Sequence, residues 1–468
     1  MNASMEPSRL TTLVAVLLAA GCASLPPENG RLEVNSLIAE RGRDASAPED
    51  AAQLVSELLG QPVTAESAVR VALVSNPRLQ SEYARLGIAG AAIYEAGRPK
   101  NPTLSAEILD SNAAGAVSQR TFGIAQSFTS LILLPARSRL AGGEFERIQQ
   151  SVGGAVLDLA SEVERAWYAL VSAQDVAAMR ETIFDAARVS ADLSRRFFDA
   201  GNITRRELAL QMSAASQARI DSLDAQAEVA YARSALNDLM GLGAGAPEWL
   251  VTARLPAPFA QEDDLAALLS LADRSRLDLA AARRQIDLFG DALGVTRNFR
   301  ALGEFQVGIE QERESDHSRL TGPTFSWQLP IFSRNAGGVA RAEAQLQQAE
   351  AEADALEVEI VNALRVGHAS VQNAKARAQE YREGLIPQRE EIVERTQERV
   401  SYMLEGQFEL LLAKRQEYEA YQGYLEAVRD YWLARTDLAR AVGTTLPSSG
   451  QSATEADVDA FGPEGDRR

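Results

Sequence analysis

The sequence predicts a mainly α-helical chain with a small β part, in which one strand–strand–long-helix unit occurs twice. Three observations predict this fold. The two halves of the chain resemble each other, long proline-free stretches carry apolar residues at alternating spacings of three and four, and short segments alternate apolar with polar residues. Aromatic residues make up only 6% of the 468 residues, and Ala, Leu, Glu, Gln and Arg dominate long stretches, a composition typical of extended helices.

The charge balance excludes one class of partner. The formal net charge is −18 and the sequence pI is about 4.8. Binding to nucleic acid needs clustered Lys and Arg side chains that neutralise phosphates, so we expect no nucleic-acid partner.

The N-terminus carries a candidate export signal. The apolar run Leu10 to Ala20 is too short for a membrane helix and has the size of a signal-peptide core. It ends in Leu18-Ala19-Ala20-Gly21-Cys22, which resembles a bacterial lipoprotein processing site and holds the only cysteine. We expect residues 1–21 to be a signal peptide, Cys22 to be the lipid attachment site, and residues 22–63, which hold four prolines, to be an extended segment.

A duplication organises the rest of the chain. Residues 64–241 resemble residues 265–443 at an offset close to 200, and the connector 242–264 is rich in Gly and Pro. The landmarks are four pairs: Arg78-Leu79 with Arg276-Leu277, Ala84-Arg85 with Ala282-Arg283, Phe197 and Gly201 with Tyr402 and Gly406, and Leu236–Gly241 with Leu438–Gly443. Residues 444–468 form an acidic tail that we expect to be disordered.

Each half ends in two long helices, predicted at about 138–241 and 335–443. The apolar seams are Val152, Val156, Leu159, Val163, Ala166, Leu170 and Ala173 in the first half, and Leu346, Ala349, Ala353, Leu356, Ile360 and Ala363 in the second. A helix from Ser138 to Phe198 would be roughly 90 Å long. Gly384 and Pro387 are expected to interrupt its counterpart. The helical hairpins turn at Gly201 and Gly406, where glycine suits a positive φ.

Strict alternation predicts strands at about 103–128 and 301–330, with one apolar and one wet face. Four strands cannot close a membrane barrel, which needs at least about eight, and open strand edges cannot be left in lipid. Three chains would supply twelve strands and twelve long helices. We therefore expect a homotrimer that forms a β-barrel joined to an α-barrel.

These features together resemble the outer membrane efflux protein family, the TolC-like channels. The resemblance rests on the duplicated halves and on five segments. These are Ala68-Val69-Arg70-Val71-Ala72-Leu73, Asn76-Pro77-Arg78-Leu79, Asn101-Pro102-Thr103-Leu104 before the first strand, Tyr402-Met403-Leu404-Glu405-Gly406 at the second hairpin, and Ala434 to Gly443. The resemblance covers about residues 64–443. The Asn-Pro-Thr-Leu segment is most similar to the heavy-metal-exporter branch.

The resemblance implies an outer-membrane homotrimer with a 12-strand barrel and a periplasmic helical tunnel. It implies a passive exit duct for substrates delivered by a periplasmic adaptor protein and an inner-membrane efflux pump, most often of the RND type. The expected location is the outer membrane, with the chain lipid-anchored and extending into the periplasm. The alternatives are a periplasmic adaptor lipoprotein and a coiled-coil scaffold.

The candidate functional residues are those of a channel, and no enzyme is expected. Gate candidates are Glu405, Glu409 and Glu207 near the hairpin turns, and Gly201 and Gly406 are candidates for adaptor docking. Phe305, Phe325, Trp327 and Phe128 are expected to face lipid. We expect no cofactor and no metal site, since the histidines are only His317 and His368, far apart in sequence, and the one cysteine is assigned to the anchor.

Overall fold

The computed structural model of the chain describes residues 27–46, 50–110, 118–243, 245–252, 254–314, 318–332 and 334–447. The predictions for the signal peptide, for Cys22, for His317 and for the tail beyond residue 447 lie outside the described residues.

Twelve α-helices and four strands follow a 3₁₀ turn at Pro27–Gly30 in the described part of the chain. The helices are α1 (Arg31–Ala39), α2 (Ala51–Leu59), α3 (Ala65–Ser75), α4 (Pro77–Ala96), α5 (Phe128–Ile132), α6 (Leu134–Asp199), α7 (Arg205–Met240), α8 (Leu265–Ser275), α9 (Leu277–Asn298), α10 (Ala336–Gln379), α11 (Ile386–Ser401) and α12 (Gln407–Val442). The strands are β1 (Thr103–Leu109), β2 (Gln119–Ser127), β3 (Glu304–Arg313) and β4 (Arg319–Gln328). The fold is thus mainly helical with a small sheet. No helix among the described residues is long and apolar enough to span a membrane.

Both halves share the order of two short helices, two strands and then long helices, and the first half adds the short helix α5 after β2. In the first half, the two short helices are separated by a break at Asn76-Pro77. Asn76 is extended, and its side-chain oxygen accepts hydrogen bonds from the backbone N–H groups of Arg78 and Leu79. Pro77 then begins α4 at a position where its missing N–H is tolerated.

The expectation of an extended segment over residues 22–63 is wrong for α1 and α2. Val34 and Ile38, one helical turn apart, are both fully buried. Asp50 caps α2 by accepting a hydrogen bond from the Gln53 N–H at 3.0 Å. The two described prolines of this segment, Pro27 and Pro62, lie outside these helices, so they do not force an extended chain there.

Two compact units divide the chain. The first comprises the residues up to Val34 with Ser81–Val152 and Leu277–Glu357, and it contains the sheet. The second comprises Asn35–Gln80, Gly153–Arg276 and the residues from Val358 onward, and it contains both hairpin turns and the connector.

In the first unit the strands form an antiparallel sheet in the order β1-β2-β3-β4. Central register partners are Leu104 with Ile124, Ile124 with Ile309, and Ile309 with Pro323. Within the described residues the outer edges of β1 and β4 have no partner strand. The strand prediction for the first half extended to Phe128, but β2 ends at Ser127. The Ser127 side chain accepts from the Ser130 N–H and caps α5, so Phe128 is helical.

In the second unit, two equivalent junctions repeat the duplication. Gly241 ends α7 at φ 70° and Gly443 ends α12 at φ 81°, both in the left-handed region where glycine is favoured. A Cβ atom on Gly241 would lie 2.7 Å from the Ser75 carbonyl oxygen, and one on Gly443 would lie 3.0 Å from the Arg276 side chain. Each closing helix therefore ends against the break between the two short helices of its own half.

The long helices bury the predicted seams in part, since Leu159, Ala166, Ala173, Leu346 and Leu356 are only half-buried. In the first seam Val152, Val156, Val163 and Leu170 are completely buried. In the second, Ala363 is exposed and Leu364 is buried, because the buried stripe shifts by one residue there. Near Gly384 and Pro387 the interruption is a π-helical turn at Glu380–Leu385, and α11 continues from it.

The connector is irregular in its described residues and is held by buried polar contacts. Glu262 forms an ion pair with Arg435 of α12, and both side chains are 5% exposed or less. The Tyr431 hydroxyl donates to the same carboxylate and accepts from the Phe259 N–H at 3.1 Å. The Trp432 indole N–H donates to the Pro256 carbonyl oxygen at 2.7 Å. This chain of bonds fixes the connector onto α12.

Candidate functional site

The sheet has one apolar and one polar face, because residues paired across antiparallel strands share a face. The apolar face holds Leu104, Ile108, Phe122, Ile124, Val307, Ile309 and Phe325. The polar face holds Ser105, Glu107, Thr121, Gln306, Glu310, Glu312, Thr324 and Ser326, with Leu109 and Leu320 near its hairpin end. The apolar side chains are solvent-exposed in the single chain, Leu104 by 76% and Phe325 by 68%. An exposed apolar surface of this kind indicates contact with lipid or with another protein.

The four aromatic residues predicted to face lipid form a cluster at the end of the sheet nearest the helices. The Phe305 ring lies 6.0 Å from that of Phe128, edge to face, and 6.5 Å from that of Phe325, nearly parallel. Trp327 pairs with Phe305 across β3 and β4, and its indole N–H donates to the Leu302 carbonyl oxygen at 3.0 Å. Phe128 joins this cluster from α5 instead of from a strand.

The first hairpin turn, between α6 and α7, is capped at both ends. Gly201 has φ 79°, and the Asn202 N–H donates to the Phe197 carbonyl oxygen at 2.8 Å, which closes α6. Thr204 and Glu207 form a capping box that opens α7, in which the Thr204 N–H donates to the Glu207 carboxylate at 2.7 Å. This hydrogen bond lowers the pKa of Glu207. The Glu207 carboxylate is therefore already used as a cap.

The second hairpin turn, between α11 and α12, differs from the prediction for Gly406. Gly406 has φ −85° and serves as the N-cap of α12, so the expected positive φ is wrong at this position. The left-handed residue is Met403 at φ 60°, and the Leu404 N–H donates to the Arg399 carbonyl oxygen at 2.9 Å. The exposed segment Tyr402–Leu404 forms the tip, with Met403 93% exposed.

The two turns align at an offset of 202, not at the offset implied by pairing Gly201 with Gly406. Gly201 corresponds to Met403, Thr204 to Gly406, and Glu207 to Glu409, because each pair holds the same cap position. Sequence comparison matched the two glycines, although only one is the left-handed cap. The equivalent positions of the two turns are recognised from the helix-cap positions, which the residue types do not indicate.

The three gate candidates differ in what holds their carboxylates. Glu207 caps α7. Glu405 forms an ion pair with Arg399 at 2.7 Å. Glu409 lies exposed in the first turn of α12, and among the described residues no hydrogen bond or ion pair holds its carboxylate. Of the three, Glu409 is therefore the one whose carboxylate has no such partner among the described residues.

One further titratable group was not found from the sequence. Asp175 on α6 is partly buried, and desolvation raises its pKa to about 6, although the Arg254 charge and a hydrogen bond with the Leu255 backbone oppose the shift. His368 lies within α10, and the described residues contain no group of three or more His, Cys, Asp or Glu that could hold a metal ion.

Comparison with known proteins matches part of the chain to one protein family. Residues 268–444 match the outer membrane efflux protein family. The matched residues run from within α8 to just past the end of α12, and so include the second copy of the duplicated unit almost entirely. No curated protein sequence matches the chain.

Solved structures with the same fold cover a larger part of the chain than the family match does. The outer membrane protein VceC of Vibrio cholerae is 18% identical, with a TM-score of 0.67 over 81% of this chain and 96% of VceC. CusC is 16% identical, with a TM-score of 0.66 over 81% of this chain and 92% of CusC. The open-state MtrE outer membrane channel of Neisseria gonorrhoeae is 16% identical, with a TM-score of 0.64 over 81% of this chain and 89% of MtrE. At these identities the likeness establishes the TolC-like fold.

Proposed function

We propose that this chain is the outer-membrane channel component of a tripartite efflux system, a passive exit duct. The observation that carries the proposal is the four-stranded sheet, which has an exposed apolar face, a polar face and two open edges. In water the apolar face would be unfavourable by about 25 cal/mol for each Å² exposed. The match to the outer membrane efflux protein family supports the proposal, and its residues 268–444 include β3 and β4 of this sheet.

Open strand edges are the reason for proposing a homotrimer. The unpaired N–H and C=O groups of β1 and β4 could not remain unsatisfied in hydrocarbon. Three copies pair these edges, and the resulting 12-strand barrel is wide enough to hold water. The polar faces then line the lumen, while Phe305, Phe325, Trp327 and Phe128 meet lipid or its interface. The long helices of three copies line a 12-helix tunnel in the periplasm.

The partners of such a duct are a periplasmic adaptor protein and an inner-membrane efflux pump, of which the RND type is the leading candidate. The pump supplies the energy, and this chain needs no catalytic group and no cofactor. We propose the hairpin turns that contain Gly201 and Gly406 as the adaptor-docking tips. Lipid attached to Cys22 would anchor the chain to the outer membrane.

We propose Glu409 as the gate residue, because its carboxylate is exposed and is not held by a cap or an ion pair among the described residues. Three copies near a symmetry axis would favour cations over anions. Glu405 is the second candidate, because its ion pair with Arg399 partly neutralises its charge. Glu207 is a weaker one, because its carboxylate caps α7.

The alternatives of a periplasmic adaptor and a coiled-coil scaffold are not supported. A scaffold has no use for an exposed apolar sheet face, and an adaptor would carry one helical hairpin instead of two.

Membrane fractionation and electrophoresis test the proposal. The full chain should appear in the outer-membrane fraction and should run as a species about three times the chain mass before boiling. The same species should conduct ions in a planar lipid bilayer. Recovery of the chain as a detergent-free monomer in the periplasmic fraction would overturn the proposal.

A further inference from the structure

The charged residues of the sheet are sorted completely between its two faces. All four acidic strand residues lie on the polar face: Glu107, Glu304, Glu310 and Glu312. All three basic strand residues lie on the apolar face: Arg120, Arg313 and Arg319. This sorting is unexpected in a chain of net charge −18, because the basic residues share a face with exposed isoleucines and phenylalanines. We call these three residues the arginine row.

The arginine row is in register across three strands. Arg120 pairs with Arg313, and Arg313 pairs with Arg319. Side chains that are directly opposite in a sheet have Cβ atoms about 5 Å apart, and like charges at that distance repel each other. Arg313 already interacts within the chain, whereas Arg120 and Arg319 are exposed. The exposed guanidinium groups of Arg120 and Arg319 are therefore suited to bind an anion from outside the chain.

The position of the row indicates which anion it meets. The row lies at the hairpin end of the apolar face, and the aromatic cluster lies at the helix end. From Phe305 to Arg313 the strand rises about 27 Å, or roughly 21 Å along the membrane normal at a typical tilt of about 40°. The apolar band of a membrane barrel is about 25 Å tall. The arginine row therefore falls at the rim of that band, where lipid head groups begin.

We propose that Arg120 and Arg319 form a binding site for the phosphate group of an anionic membrane lipid. The planar guanidinium group matches phosphate oxygens in a two-bond geometry, and the apolar residues Phe122, Ile124 and Ile309 below the row contact the acyl chains. A free phosphate ion would use only the arginines, whereas a lipid uses both parts of the face. We therefore expect the site to bind a lipid and not a free phosphate ion. This inference rests on the proposed function, because it requires the apolar face to lie in a bilayer.

Lipid titration of the detergent-purified full chain tests the site. The probes are phosphatidic acid and diacylglycerol with identical acyl chains, which differ only in the phosphate, and the readout is the apparent Kd from native mass spectrometry. We expect the unaltered protein to bind phosphatidic acid more tightly than diacylglycerol. The double variant R120Q/R319Q should weaken phosphatidic acid binding about fivefold for each arginine removed, or roughly 25-fold in all. The variant R120K/R319K should retain most of the affinity.

The matched control is Arg300→Gln, an exposed arginine at the helix end of the same unit, which should leave the Kd unchanged. A parallel titration with inorganic phosphate should show no binding at the lipid concentrations used. Equal affinity of R120Q/R319Q and the unaltered protein for phosphatidic acid would overturn the inference, as would equal binding of inorganic phosphate.

Trimer formation and bilayer conductance are measured on the same samples. If the unaltered chain forms a conducting trimer but the arginine variants bind lipid normally, only this inference fails. If the unaltered chain forms no trimer and does not enter the bilayer, the proposed function fails and this inference fails with it.

Discussion

Asp175 is the residue whose titration should most affect the pH dependence of stability. Burial raises its pKa to about 6, above the model-peptide value of 3.8. An acid with a raised folded-state pKa stabilises the fold fully below its unfolded pKa, and that stability is lost as the pH rises through about 6. A difference of about two units corresponds to roughly 3 kcal/mol.

We therefore predict that Asp175→Asn removes the loss of stability that occurs as the pH rises. The variant and the unaltered protein should have similar guanidinium midpoints at pH 4, and the variant should be the more stable at pH 7.5, by up to about 3 kcal/mol. Tryptophan fluorescence of the detergent-purified protein reports the unfolding, since Trp167 lies on the same helix and is buried. A pH dependence that is identical in the two proteins would show that Asp175 titrates at an ordinary value.

The connector is the element whose attachment depends most on one charge pair. Glu262→Ala leaves the Arg435 guanidinium buried without its carboxylate and removes the acceptor of the Tyr431 hydroxyl. Breaking a buried pair from one side typically destabilises a protein by about 3–5 kcal/mol. We predict a loss of that size in the free energy of unfolding for Glu262→Ala.

The matched control for the connector is Asp437→Ala, which breaks the exposed pair between Arg165 and Asp437 on α6 and α12. Both of its side chains are about half exposed, at 47% and 53%, so its loss should be under about 1 kcal/mol. Equal effects of the two variants in guanidinium titrations would mean that the connector is not held by the Glu262 pair.

The elements that could be predicted from the sequence are those in which apolar residues recur with a strict period. The alternation in β3 and β4 and the apolar seam of α6 are local patterns, and the structure places strands and a buried helix face there. Gly406 was assigned a positive φ because glycine usually occupies such positions, but the cap position depends on where α11 ends, and Met403 takes it. The helix α2 begins at the Asp50 cap, but the prolines of this segment led to the prediction of an extended chain.

Contacts between distant residues were not predictable from local patterns. Glu262 and Arg435 are far apart in sequence, and nothing around either residue indicates the other. The same holds for the arginine row, since Arg120 joins Arg313 and Arg319 only through the register of β2 with β3. Alternation predicts which face a residue takes on its own strand, whereas register decides its neighbours.

For the whole molecule, the proposed trimer turns one exposed carboxylate into a ring of three. A unit charge about 6 Å from a permeating ion contributes about 0.7 kcal/mol in water, and salt at 0.1 M screens part of it. We predict that Glu409→Gln lowers the cation-to-anion permeability ratio about fivefold in planar bilayers at 0.1 M salt, and that the difference vanishes at 1 M salt. Glu207→Gln is the matched control at the equivalent position of α7, where glutamine still completes the capping box and the ratio should stay unchanged. A permeability ratio that responds to Glu207→Gln and not to Glu409→Gln would place the selective carboxylate at the first hairpin turn, contrary to the assignment made from the cap contacts.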